Sequence, residues 1–480
     1  MTTVNLRIAQ RHWEELRAHV SRSFRGSSRE ELGAIGLIGE VHSQGKRELT
    51  VSRILMPSLS DIRFSGEGGL VFDSSYIRRA HLEMRRERLA GIVTFHTHPF
   101  SDQRVAFSPY DDSQDPKLIA NLKELEPSTK LLSIVLGKRS QCGRLWHEPS
   151  QYVRANRLII VGENMEFLPL AGTPPLPMPN PAATFDRAQA LTGSGALARL
   201  GEMRIAVVGA SGTGCLVAEL LARTGCRRLM LFDDDIVRDV NLNRILYATT
   251  DDADRRRLKV DVLKRGIESL GLGCKVEAVA GNILEKHVIR QLREADFIFG
   301  CVDRAYPRLL LCQHSFRYLI PYIDVGSEVG GDKLGIVSLT SRASYVAPFR
   351  HCLQCTGIVT PRHLHLESLT WEEQMRVIAL GYSEDLIMKK PAVMDLNMRA
   401  ASLGVMILRH LLQPFLINVP ITLSENLVTF AMLSIDKARA ENENCDLCRV
   451  NPQYGYGDCG DDLGLDSEVV RLITEPKASQ

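Results

Sequence analysis

The stretch Arg204-Ile-Ala-Val-Val-Gly209-Ala-Ser-Gly212-Thr-Gly214 decides how the second part of this chain folds. A short apolar run enters a glycine-rich turn, and the apolar segment Cys215-Leu-Val-Ala-Glu-Leu-Leu-Ala222 follows at once. Strand, glycine turn and helix in that order open a βαβ unit. Glycines at 209, 212 and 214 let backbone N–H groups approach a phosphate at a helix N-terminus, where the helix dipole favours negative charge. Asp233, at the end of the next apolar run, suits a ribose hydroxyl. To this point a dinucleotide oxidoreductase and a nucleotide-activating enzyme read alike.

The residues that follow separate the two. Asp233-Asp-Asp235 leads to Asn241-Leu-Asn-Arg244, then Lys259, then Cys301-Val-Asp303 with Arg308 beyond. Hydride transfer has no use for cations in series with a carboxylate. Nucleotidyl transfer does, because cations neutralise a triphosphate and an acid holds Mg²⁺ near the leaving pyrophosphate. Over approximately residues 185–450 the chain resembles the ThiF/MoeB superfamily, the adenylating core of ubiquitin-activating enzymes. The resemblance implies a Rossmann-like α/β domain with a mainly parallel sheet. In it Gly209, Gly212 and Gly214 cradle ATP, Asp233 binds ribose, and Asn241, Arg244 and Lys259 contact the phosphates. It implies Asp303 as the Mg²⁺-linked catalytic acid, and Arg187 as a helix-borne arginine reaching into the neighbouring subunit of a homodimer. Ser211 stands where the family's loop has a glycine, a small change.

Cys352-Leu-Gln-Cys355 and Cys445-Asp-Leu-Cys448 are two C-x₂-C pairs. Four thiolates make a closed tetrahedral zinc site, which is structural because no ligand position remains for water. Between Cys355 and Pro391, where thioester-forming relatives carry a nucleophilic cysteine, there is none. Cys301 and Cys312 are expected in the core, and Cys459 is the exposed thiol near the end. The expected product is therefore an acyl-adenylate rather than a thioester on this chain.

A second constellation precedes all of this. Gly91-Ile-Val-Thr-Phe95 runs directly into His96-Thr-His98-Pro99, with Ser108-Pro-Tyr-Asp111 after it. Two histidines one residue apart at a strand end project to the same side. With Asp111 they offer three ligands and leave a fourth position for water, the open arrangement of a catalytic zinc. The order of a distant Glu40, then H-x-H-P, then S-x-x-D resembles the JAMM motif of the JAB/MPN metalloproteases, over approximately residues 10–150. By that resemblance His96, His98 and Asp111 bind zinc, Glu40 is the general acid/base and Ser108 steadies the tetrahedral intermediate. The loop between His98 and Ser108 is slightly longer than the common pattern.

Length and composition frame these sites. At 480 residues the chain exceeds one ordinary core. Its 59 basic and 57 acidic residues leave no bulk field for nucleic acid or a membrane. No apolar run is long enough to span a bilayer. Eleven cysteines, four of them in metal-type pairs, with no signal-type N-terminus, point to a reducing cytoplasm. The proline-dense run 168–181 places a linker at 156–184. It would separate an α+β JAB/MPN-like domain at 1–155, with a curved sheet and flanking helices, from the adenylation domain at 185–460. A polar tail follows at 461–480.

The expected whole is a bifunctional enzyme of a prokaryote-type ubiquitin-like system. Its partners would be a ubiquitin-like or sulfur-carrier protein ending in glycine and a conjugating enzyme. Its cofactors would be ATP, Mg²⁺, a catalytic zinc and a structural zinc. Sulfur-carrier processing in a biosynthetic pathway is the alternative, and a nucleotide-sensing scaffold the non-enzymatic one.

Overall fold

The computed structural model of the chain describes residues 3–25, 29–43, 46–67, 69–172, 183–332, 335–380, 393–417, 419–435, 444–450 and 452–474. It divides into two compact units. The first is Met1–Pro177 with Phe316–Leu319 and Gln453–Asp461; the second is Met178–Ser315, Ile320–Pro452 and Asp462–Gln480. Among the described residues no helix is long and apolar enough to cross a membrane.

Among its described residues the first unit carries eleven strands: β1 Thr3–Ala9, β2 Gly33–Ser43, β3 Lys46–Leu55, β4 Ile62–Gly66, β5 Gly69–Phe72, β6 Gly91–Thr97, β7 Lys130–Leu136, β8 Gln141–Glu148, β9 Gln151–Arg154, β10 Arg157–Val161 and β11 Met165–Pro169. Nine form one mixed sheet in the order β11-β10-β1-β3-β2-β6-β7-β8-β9, while β4 and β5 pair separately. Successive strand residues feed opposite faces. Ala34 and Ile38 of β2 join Val93 and Phe95 of β6 in a cluster with Trp13, Leu16 and Val20 of α1 (Gln10–Val20). Ile35, Leu37 and Ile92 enter the opposite cluster with Tyr76, Ala80 and Met84 of α2 (Ser74–Arg86) and Ile119 and Leu122 of α3 (Pro109–Leu125). The sheet is therefore covered on both faces.

Two expected boundaries shift. Residues 157–169 are not linker: β10 pairs in parallel with β1, and β11 closes antiparallel on β10. The rest of the proline-dense run, from residue 173 on, lies outside the described residues. Near the other end, Gln453–Asp461 belongs to the first unit and runs along β2. Gly457 bridges Glu40 in parallel, and Asp458 N donates to Glu40 O at 2.7 Å. Thr50 Oγ1 donates to Gly455 O at 2.7 Å, and Arg317 Nε to Gly457 O at 2.6 Å. A Cβ on Gly39 would lie 2.4 Å from Tyr456 O, so the two backbones meet only because that position is glycine. Beyond this strap, Ser467–Thr474 is helical rather than a loose tail.

The second unit carries β12 Arg204–Val208, β13 Arg228–Phe232, β14 Lys275–Val279, β15 Phe297–Gly300, β16 Tyr322–Asp332, β17 Gly335–Val346, β18 Thr422–Asn426 and β19 Ala431–Ile435. Their order is β14-β13-β12-β15-β16-β17-β18-β19. The first five run parallel, and the last three add antiparallel. Helix α4 (Asp186–Glu202) leads in, and α5 (Gly212–Arg223) follows β12. From β12 the chain passes to β13 on one side, while β15 lies on the other. The strand order reverses at this junction, the place where open α/β sheets bind ligands beyond the carboxyl ends of their strands.

Candidate functional site

The switch point holds most of the residues singled out in the second half. Gly209 ends β12 with φ +94°, a region that favours glycine, and a Cβ there would lie 2.6 Å from Cys301 O. A Cβ on Gly214 would overlap Gly209 O at 1.7 Å. The loop therefore brings β12, the turn after β15 and the first turn of α5 together. Ser211 precedes α5 without capping it through its side chain, so the first N–H groups of that helix remain available.

Cations and carboxylates surround the loop. Arg244 packs its aliphatic stem over Gly212, whose added Cβ would lie 3.2 Å from Arg244 Cδ. Lys259, 5% exposed, bonds Asp235 at 2.6 Å and stands 3.9 Å from Asp233. Asp233 accepts from Ala210 N at 2.7 Å and from Asp235 N at 2.9 Å. Burial pushes the Asp233 carboxyl upward, against the pull of Lys259. Asn241 is buried, and its Oδ1 accepts from Arg238 N at 3.1 Å. Asp303 lies exposed just past β15, and Arg187 is exposed on the first turn of α4.

Next to Asp303, Arg308 joins a cluster whose other members the sequence does not single out. Asp324 on β16 pairs with Gly300 and is fully buried. It accepts from Arg308 Nε at 3.0 Å, Arg342 Nη1 at 2.5 Å and the Tyr322 hydroxyl at 2.9 Å. Burial would raise this carboxyl, but the two guanidiniums outweigh it and hold the group below its ordinary range. Two arginines against one aspartate leave a net positive charge. Both Nη2 atoms converge on Gly326, whose added Cβ would lie 3.2 Å from Arg342 Nη2 and 3.4 Å from Arg308 Nη2. An isolated D, R or R carries no motif, and only the pairing of β15, β16 and β17 assembles them.

The four motif cysteines come together as expected. Cys352 and Cys355 sulfurs are 3.6 Å apart, Cys352 and Cys445 3.7 Å, and Cys355 and Cys448 3.5 Å. Four sulfurs around one zinc, each about 2.3 Å from it, stand about 3.8 Å apart, so the set fits a structural zinc. Of the other thiols, Cys312 is buried as expected, while Cys301 is only half-buried. Cys459 is not freely exposed: it packs against the cluster of Ile35, Leu37 and Trp146, and burial pushes its thiol upward. A raised thiol is a poor nucleophile at neutral pH.

The first unit holds a separate site. His96 and His98 leave the end of β6 toward the N-terminus of α3. Both Nε2 atoms are buried without a formed hydrogen bond, and they face Asp111 at 3.1 and 3.4 Å. Ser108 and Asp111 are a helix capping box: Ser108 N and Oγ donate to Asp111 Oδ2 at 2.7 and 2.8 Å, and Asp111 N returns to Ser108 Oγ. The Ser108 hydroxyl is thus engaged with Asp111 itself. Burial pushes the Asp111 carboxyl up, but the two imidazoles outweigh that and hold it well below the carboxylate range.

Glu40 is not at this site. β2 and β6 run antiparallel with Gly33 opposite His96, so Glu40 lies seven residues further along β2. At about 3.3 Å per residue the separation is roughly 23 Å. Glu40 instead bonds Lys130 at 2.5 Å and approaches Arg47 at 3.4 Å. The carboxylate beside the histidines is Glu31, 3% exposed, 3.8 Å from His98 Nε2 and grouped with both histidines as potential metal ligands. Burial pushes Glu31 up to about 7. Two orphaned imidazole nitrogens and an adjoining carboxylate fit a divalent metal with an open position.

A parallel sheet with an uncapped, glycine-led helix at its switch point, ringed by cations, defines a nucleotide-binding α/β protein. The chain belongs to the ThiF family, whose profile matches residues 185–450. It is 29% identical to the tRNA threonylcarbamoyladenosine dehydratase of Escherichia coli (strain K12) over 141 residues, 29% of this chain and 52% of that protein. To the ubiquitin-like modifier-activating enzyme 5 of Drosophila willistoni it is 36% identical over 125 residues, 24% of this chain and 30% of the relative. The chain thus spans about half, or less, of the length of these curated relatives. A structure of E. coli MccB with AMPCPP and MccA aligns at TM-score 0.44 and 19% identity, covering 56% of this chain and 75% of that one.

Zinc analysis of the full-length protein is expected to find two equivalents per chain. Cys355→Ser should lose one of them and His98→Ala the other. A wild-type chain purified with zinc in the medium that holds none would contradict both assignments.

Proposed function

We propose that the second unit adenylates a carboxylate with ATP, and that the substrate is the C-terminal glycine of a small ubiquitin-like or sulfur-carrier protein. The observation carrying this reading is the uncapped start of α5 beside Lys259 and Arg244. A dinucleotide oxidoreductase would have no need of the second anion-attracting cluster at Arg308 and Arg342. In the proposed reaction a carboxylate oxygen attacks the α-phosphorus, the bond to pyrophosphate breaks, and an acyl-adenylate forms. The amides of Gly212 to Gly214 hold phosphate oxygens, while Lys259 and Arg244 offset the charge that builds on the leaving group. Arg308 and Arg342, oriented by Asp324, draw the acyl carboxylate toward the nucleotide, which reduces the repulsion between two anions. Mg²⁺ held by Asp303 would supply further neutralisation. Asp233 keeps lone pairs for ribose hydroxyls after its two backbone bonds. A homodimer in which Arg187 reaches the neighbouring site, and a conjugating enzyme downstream, complete this reading.

For the first unit we propose a JAB/MPN-like peptidase that trims or removes the same carrier. His96, His98 and Asp111 would hold zinc, which supplies a water of lowered pKa and polarises a carbonyl. Glu31, buried beside His98, is suited to take and return a proton near neutral pH. Ser108 orients Asp111.

Pyrophosphate exchange into ATP tests the first proposal, using a panel of small ubiquitin-fold proteins ending in glycine. Exchange should depend on one carrier and fall at least about 100-fold in Asp303→Ala, the size expected when a major electrostatic group is removed. Exchange unaffected by that substitution would refute the role of Asp303. For the peptidase, cleavage of the same carriers bearing C-terminal extensions should vanish in Glu31→Gln and persist in Glu40→Gln. The reverse pattern would restore Glu40 and overturn the geometric assignment.

A further inference from the structure

One buried amide at the phosphate loop comes from a segment far along the chain. Asn397 lies in the first turn of the helix Met394–Leu412 and is 3% exposed. Its Oδ1 accepts from Ser327 Oγ at 2.6 Å, which fixes the orientation of the amide. Nδ2 consequently faces Gly212, where an added Cβ would lie only 2.7 Å from it. Among the described residues Nδ2 has no hydrogen-bond partner. An amide donor left without an acceptor, on a side chain that is 3% exposed, is open to one supplied from outside the chain.

The neighbourhood says what that acceptor is. Gly212 is the first residue of α5, a twelve-residue helix whose preceding Ser211 supplies no side-chain cap. Its uncapped first turn and Asn397 Nδ2 lie side by side, with the Arg244 stem alongside. Several neutral donors and one cation around a helix start match an anion with many oxygens.

We propose that Asn397 is a nucleotide-binding residue: Nδ2 donates to a phosphate oxygen of ATP on the α5 loop, and Ser327 is the positioning residue that turns Nδ2 toward it. The inference rests on the reading of this loop as an ATP site. It adds a donor from a distant helix, positioned from β16, that no glycine motif would reveal.

Binding of ATP and of adenosine to the full-length chain tests it, by calorimetry for ATP and ligand-observed NMR for adenosine. Asn397→Asp keeps an acceptor for Ser327 and nearly the same volume, but turns a donor into an anion facing the phosphates. ATP affinity should fall at least about 30-fold in Asn397→Asp, about 10-fold in Asn397→Ala and a few-fold in Ser327→Ala. Adenosine binding and the melting temperature of Asn397→Asp should stay near wild type, because neither reads the phosphate contact. Asn397→Asp that binds ATP within twofold of wild type would overturn the proposal, as would an equal loss for adenosine. A wild-type chain that binds no ATP would instead refute the nucleotide reading on which the proposal rests.

Discussion

The close approach of Gly214 to the carbonyl of Gly209 is the constraint on which the second unit depends. No side chain larger than hydrogen fits there, since a Cβ would sit 1.7 Å from that oxygen. The contact lets α5 start directly above the end of β12 and leaves its first amides unspent. It also fixes where everything else must stand. The turn after β15 touches Gly209 through Cys301, Arg244 lies across Gly212, and Asp233 holds the amide of Ala210. Backbone donors with no internal partner are costly to bury. A loop built this way therefore makes structural sense around an anion, and Lys259, Arg244 and the Arg308–Arg342 pair set the local field to match.

The charges around that crevice are arranged rather than merely accumulated. Asp324 is wholly buried with two guanidiniums and a phenol on its oxygens. A buried carboxylate with a single cation would be neutral; with two it presents positive charge at a defined place. The first unit follows the opposite logic. There two imidazoles and two carboxylates, Asp111 and Glu31, converge on buried nitrogen atoms that lack hydrogen bonds. The crevice of the second unit gathers positive charge, the site of the first lone-pair donors.

What could be read from sequence was whatever depends on short-range geometry. The glycine loop, the H-x-H pair and the C-x₂-C pairs each follow from local periodicity, and each lands where its spacing demands. The S-x-x-D segment was legible too, though its hydroxyl serves a helix cap. Glu31 does not stand out in the sequence because the choice between it, two residues before β2, and Glu40 on β2 depends on the antiparallel register of β2 with β6, which local pattern does not contain. The Asp324 cluster and Asn397 depend on tertiary pairing in the same way: Asp324 and Tyr322 come from β16, Arg342 from β17, and Arg308 and Asn397 from two helices, and of these the sequence singles out Arg308 alone. By sequence the strap at Gln453–Asp461 falls at the end of the second domain and the start of the tail, because nothing local says that Gly455 and Gly457 are shaped to lie on Gly39 and Glu40.

The most direct measurement is a crystal structure of the full-length protein grown with an ATP analogue whose α,β-bridge cannot be cleaved. The triphosphate should rest on the amides of Gly212 to Gly214, within reach of Lys259 and Arg244, with the ribose at Asp233. A nucleotide bound elsewhere, or a loop crevice left empty at saturating analogue, would contradict the assignment of this switch point as the site of activation.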